Sequence, residues 1–236
     1  MTLKIMVLSL AAATGAAFGV HAEAPAPGKN LSVDITAPTD PSRLPWGSQA
    51  PYAVTVNYDG KSTKFGEIPS NDVVLRASFL ANADAPSKAG PLPEALVQIS
   101  RSNCSGCHDF TANSAGPSFA AIGKRYAGQA AAVGMLAGHI RNGSHGSWGS
   151  GSMPPHPDMN PAQAAAIAQW IVTQAGDPAV QYAIGKSGAF RMSAPTKPGP
   201  RAGMLISAFY TGPLKPDDTR AAAAGRNTVV VFGTGL

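Results

Sequence analysis

The sequence predicts an α+β chain of more than one domain, with an all-α block inserted between two β-rich segments that close into one sandwich. Three observations predict it. Residues before about Ala85 and after Pro178 are rich in β-branched and aromatic side chains broken by Pro, Gly and Asp. Residues from Pro93 to Gly176 carry apolar side chains at helical spacing. Three strands alone bury little, so each β-rich segment needs the other. The rival arrangement is two separate small β-modules. Insertion is preferred because the ends of a compact unit often lie close together.

The elements follow in chain order. Residues 1–22, "MTLKIMVLSLAAATGAAFGVHA", read as a secretory signal peptide. Lys4 is its basic start, Ile5 to Val20 its apolar stretch, and Val20-His21-Ala22 its cleavage site. A retained membrane anchor is the alternative, which the Pro-rich run from Glu23 to Gly28 disfavours. The expectation is a periplasmic or secreted protein with no membrane span after cleavage. Segment 30–86 holds strands at Leu31–Pro38, Tyr52–Tyr58 and Asn71–Leu80. "SKAGPLPEA", Ser87 to Ala95, links into the helical block, residues 90–176.

In that block Leu96, Val97, Ile99 and Cys104 share one helical face. Ser118–Gly128 reads as a short helix and Gln129–Gly143 as a longer one. Asn160–Gly176 is the clearest helix: Asn160 caps it, Pro161 takes its first position and Gly176 ends it. Its apolar stripe is Ile167, Trp170 and Ile171. Segment 180–236 returns to strands at Gly188–Met192, Gly203–Gly212 and Asn227–Gly233, and is expected to pack with 30–86.

Charge excludes one class of partner. The chain has 18 Lys and Arg against 13 Asp and Glu, spread out with no basic run for a nucleic-acid groove. A mildly basic face suits an acidic protein partner.

Cys104 and Cys107 are the only cysteines, in "NCSGCHDF" with His108 directly after. A disulfide is one reading in an oxidising compartment. A thioredoxin-like site needs a βαβ setting, which the helical texture lacks. A zinc site needs a second ligand cluster, and the sequence offers none. Cys-x-x-Cys-His is the attachment signature of a c-type haem. Two thiols three apart on a helix reach the two vinyl groups of one porphyrin, and the following imidazole meets the iron. A second axial ligand is then wanted. Met135, Met153, Met159, His139, His145 and His156 all lie downstream. Met153 is favoured because it sits in a Gly/Pro loop, Ser147 to Met159, which can approach the iron from the open face.

The run "NCSGCHDF…AGPSFAAIGKRYAGQ…LAGHIRNGSHGSWGSGSMPPHPDMNPAQAAAIAQWI" resembles the small bacterial class I cytochromes c, mono-haem proteins, over Leu92 to Gln174. The haem motif, Gly-Pro, Asn-Gly-Ser, Trp-Gly, Met-Pro-Pro and a final Trp-bearing helix come in family order. The resemblance implies one covalent haem c per chain, with His108 as proximal and Met153 as distal iron ligand. It also implies that the Pro117 carbonyl accepts from the His108 ring, that Asn142 bonds near the Met153 sulfur, and that Trp148 lies near a haem propionate. The flanks resemble PKD-like or immunoglobulin-like β-modules found around such cytochromes in secreted bacterial proteins.

The resemblance further implies single-electron transfer between redox partner proteins rather than enzymatic turnover. Ile99, Ile122, Ile140 and Trp170 would keep water from the haem. Lys124, Arg125 and Arg141 would rim an exposed edge. One competing expectation is a haem catalyst with a labile Met, such as a peroxidase. Another is a haem-containing subunit or binding module of a periplasmic sugar dehydrogenase. There the sandwich grips a partner or glycan, with Trp46, Tyr52 and Tyr58 as a possible platform.

Overall fold

A computed structural model describes residues 31–85, 87–215 and 226–235. The expected signal peptide and the Pro-rich run after it lie outside the described residues. Among those residues, no helix is long and apolar enough to cross a membrane.

Five strands precede the helices: β1 (Ser32–Ala37), β2 (Ser42–Pro45), β3 (Gln49–Tyr58), β4 (Lys61–Ser62) and β5 (Val73–Leu80). β3 shows why a period-2 sequence becomes a strand. Ala50, Tyr52, Val54, Val56 and Tyr58 are buried while the residues between them face outward or partly so. Four helices follow, α1 (Glu94–Arg101), α2 (Phe119–Tyr126), α3 (Ala132–Asn142) and α4 (Pro161–Thr173). Between α3 and α4 the chain forms a two-residue ladder, β6 (Ser144–His145) with β7 (Ser152–Met153), so the block is not purely helical. The chain ends in β8 (Val180–Ile184), β9 (Ser187–Arg191), β10 (Gly203–Tyr210) and β11 (Arg226–Thr234).

The strands before and after the helices pair with each other. One sheet runs β1-β3-β4 with β9 on β3, and the other runs β2-β11-β10-β5-β8. Both sheets feed one apolar core, with Val54 and Val56 meeting Leu75, Ile206 and Val231. Strands from before and after the helices thus share both sheets and one core. Tyr52 is 3% and Tyr58 7% exposed, so these rings belong to the core, and Trp46 packs partly buried against it.

The helices have a second core of their own, centred on Leu96, Ile99, Ile167, Trp170 and Ile171. α4 starts with a full capping box. Asn160 Oδ1 accepts from the Gln163 backbone at 2.9 Å, and Gln163 Oε1 accepts from the Asn160 backbone at 3.0 Å.

The two cores are joined by fixed contacts. The Ser100 and Thr211 hydroxyls are hydrogen-bonded at 3.0 Å inside the protein, and Asn71 Nδ2 donates to the Ser100 carbonyl at 3.2 Å. Arg76 on β5 donates to the carbonyls of Gly90 and Pro91 at 2.8 and 3.1 Å, which pins the linker along the sheet.

Candidate haem site

The cysteines lie on a turn rather than on a helix. α1 stops at Arg101, and Asn103 takes a left-handed conformation with φ 54°. Asparagine tolerates that region. Cys104–Gly106 then forms one 3-10 turn, and the His108 N–H donates to the Cys104 carbonyl at 2.9 Å. The turn still sets two thiols and an imidazole on one short segment. The Cys104 side chain packs against the helical core, whereas Cys107 is exposed.

His108 is held from behind. Its Nδ1 lies 2.6 Å from the Pro117 carbonyl oxygen. A carbonyl only accepts, so Nδ1 carries a proton, and in the neutral imidazole Nε2 keeps its lone pair. Phe119 stacks on the imidazole at 5.5 Å and 29°. Pro117 is fixed in turn because the Ser118 N–H donates to Asn113 Oδ1 at 2.9 Å, while Ser118 Oγ caps α2 by accepting from Ala121 at 3.1 Å.

Gly116 lets the chain pass beside the ring. A methyl group there would lie 2.7 Å from His108 Cε1 and 3.0 Å from Nδ1. The imidazole cannot retreat without breaking its bond to Pro117. Gly116→Ala is therefore expected to destabilise the holoprotein by about 1–3 kcal/mol, the usual cost of overpacking. Thermal unfolding against wild type measures it.

A cleft of about 360 Å³ opens in front of this wall. Cys107, His108 and Pro117 line one part, and Met153, Trp148 and His139 line others, with Ile122, Leu136 and Ile140 among the apolar lining. Of the six downstream Met and His candidates, only Met153 and His139 are in the lining. Met159 is buried in the helical core, Met135 is 38% exposed, and His145 Nδ1 lies 3.1 Å from Ser152 Oγ. Met153 is placed by the β6–β7 ladder, opposite Ser144. Gly143 permits that approach with φ 78°, since a Cβ there would lie 2.7 Å from the Met153 carbonyl oxygen. Asn142 is exposed at the end of α3 and is not in the cleft lining.

The basic residues divide. Arg125 lies over the Trp148 ring at 4.6 Å and donates to the Ser147 carbonyl at 2.7 Å, so it sits at the cleft mouth. Lys124 is exposed beside it on α2. Arg141 instead donates to the Met159 carbonyl at 3.0 Å and serves the loop leading into α4.

The family model described as Cytochrome c matches residues 97–175. Cytochrome c-552 of Hydrogenobacter thermophilus is 46% identical over 70 residues, which is 30% of this chain and 70% of that protein. The chain belongs to the cytochrome c family. Cytochrome c-551 of Ectopseudomonas mendocina is 40% identical over 70 residues, 30% of this chain and 84% of that protein. The crystal structure of Nitrosomonas europaea cytochrome c552 is 39% identical and covers 32% of this chain and 93% of its own, with a TM-score of 0.31.

This cytochrome c carries covalently bound haem c and is of the class I mono-haem type. The residues present fit that group: two cysteines three positions apart, an imidazole with its Nδ1 already engaged, and a thioether in one largely apolar cleft. Haem c supplies an iron that cycles between two oxidation states.

Burial pushes the Cys104 thiol up from 9.0 to about 11, with the neighbouring Cys107 adding to the rise and a backbone hydrogen bond opposing it. In the haem-free chain a raised thiol pKa favours the fold only while the thiol is neutral. That contribution is complete below pH 9.0 and is lost as pH climbs through about 11. Pulse alkylation of the haem-free chain near pH 8 should label Cys107 before Cys104. The preference should narrow as pH approaches 11. Mass mapping of the labelled peptides reads it.

Proposed function

We propose that the chain is an exported electron carrier whose haem is bonded to Cys104 and Cys107 and ligated by His108 and Met153. The observation that carries this reading is the shared lining of one cleft by His108 and Met153, with His108 Nδ1 committed to Pro117 at 2.6 Å. A histidine held that way offers Nε2 to a metal in one orientation. With His108 and Met153 both holding the haem iron, oxygen or peroxide would find no open position, which favours electron transfer over a peroxidase. The thioether also holds the potential high. Leu136, Ile122, Ile140, Ile167 and Ile171 line the cleft and exclude water from it.

Trp148, partly exposed in the lining, serves a propionate, and its Arg125 partner gives the mouth a positive charge that steers acidic redox partners. Four segments make three functional parts. Residues 1–22 are the signal peptide that directs export to the periplasm or beyond. Residues 90–176 are the cytochrome domain, and 30–86 with 180–236 form one immunoglobulin-like sandwich. The sandwich supports the haem block rather than binding glycan, because Tyr52 and Tyr58 are consumed in its core.

The test is purification of the matured protein from an exporting host, followed by acid–organic extraction and a redox titration. The haem should stay with the polypeptide, and the titration should follow a single one-electron wave. Haem lost to the organic phase would sink the attachment at Cys104 and Cys107. A resting spectrum altered by added cyanide or peroxide would sink the closed His/Met site.

A further inference from the structure

The helical core does not close by itself behind His108. A chain of aromatic rings leads away from the imidazole. Phe119, stacked on His108, lies 5.5 Å from Phe110 and 5.9 Å from Trp170. Phe110 and Trp170 then both meet Tyr182, each at 5.7 Å. Phe119, Phe110 and Trp170 belong to the haem block. Tyr182 belongs to β8, lies beyond the residues 97–175 that match the family, and comes from a sheet of the other core.

Tyr182 is also firmly placed. It sits opposite Arg76 in the β5–β8 ladder, and Arg76 is itself bonded to the linker carbonyls of Gly90 and Pro91. Phe110 and Trp170 are 8% and 2% exposed, and Tyr182 is half-buried at the border of the two cores. Beside it lies a cleft lined by Tyr182, Phe110, Asp109 and His108. That cleft reaches Phe110 and His108 but not Phe119 or Trp170, and removing the Tyr182 ring would widen it toward these two.

We infer that Tyr182 is a positioning residue for the haem: β8 seals and orders the wall behind His108 through Phe110 and Phe119, so the two-sheet unit helps set the reduction potential. This rests on the reading of His108 as the iron ligand. The sign follows from solvent. Water admitted near the iron favours the more highly charged ferric form, and the potential falls. A ring without the hydroxyl still fills the space, so the effect belongs to packing.

The experiment compares holoprotein variants by redox titration and by absorption spectrum. Tyr182→Ala should lower the midpoint potential, Tyr182→Leu should lower it less, and Tyr182→Phe should leave it at the wild-type value. Val231→Ala, in the core shared by the two sheets, removes stability without touching this wall and should leave the potential alone. If Tyr182→Ala does not fold, Tyr182→Leu carries the same comparison. Equal potentials in the Tyr182→Leu and Val231→Ala proteins would overturn the inference while leaving the carrier reading intact. A wild-type protein without covalent haem, or without the sulfur-to-iron band, would instead overturn the reading beneath it.

Discussion

Holoprotein bearing Met153→Ala is expected to keep its haem, lose its sulfur-to-iron absorption band and show a lowered potential. The proposed attachment runs through Cys104 and Cys107, which the substitution does not touch. Met153 is set by the β6–β7 ladder opposite Ser144, and alanine preserves that backbone. Axial ligands command a range of roughly 0.8 V in haem proteins, and losing a thioether donor should cost on the order of 0.1 V of it. Added imidazole or cyanide should then bind the variant and not the wild type. One rival outcome is informative. His139 also lines the cleft, so a band typical of two nitrogen ligands would mean that it had moved onto the iron. An unchanged sulfur band would mean that Met153 is not the ligand, leaving Met135 or Met159. Met135 is 38% exposed and Met159 is buried in the helical core, and neither lines the cleft.

Much of this site can be read from one sequence because its chemistry is local. Cys104, Cys107 and His108 fall within five positions, and the Gly116-Pro117 and Met153-Pro154-Pro155 runs each carry their own signal. The strands with alternating patterns were equally legible, β3 above all. What was not legible depends on distance in the chain. β2 is four residues long and owes its existence to parallel pairing with β11, almost 190 positions away. β8 is five residues with no burial alternation, because all five side chains are half-buried between two cores. Its Tyr182 looks like any strand aromatic until Phe110 and Trp170 are seen beside it. Asn142 stands apart from these. The Asn-Gly-Ser resemblance drew attention to it, whereas its place at the exposed end of α3 is explained by the helix ending at Gly143.

Gly123 is the residue most easily overlooked, and its replacement should have the largest effect on stability. It lies on α2, where a Cβ would overlap the carbonyl oxygen of Ile171 on α4. That obstacle is backbone, in the last turn of α4, so it cannot rotate aside as a side chain would. Gly123→Val is expected to push α2 and α4 apart at a cost of about 3 kcal/mol, the upper part of the usual range for overpacking. Ile122 precedes Gly123 and lines the cleft together with Ile167 and Ile171, so separation of the helices also opens the dry side of the haem site. Chemical denaturation of the holoprotein should show a lower midpoint with an unchanged slope. The wild-type denaturation curve would mean that the helix crossing is looser than the glycine contact implies. A matching fall in reduction potential would tie the same crossing to the exclusion of water. Gly134 and Gly138 on α3 supply the internal control, because a Cβ at either meets nothing within 4 Å. Alanine there should stabilise by up to about 1 kcal/mol through helix propensity alone.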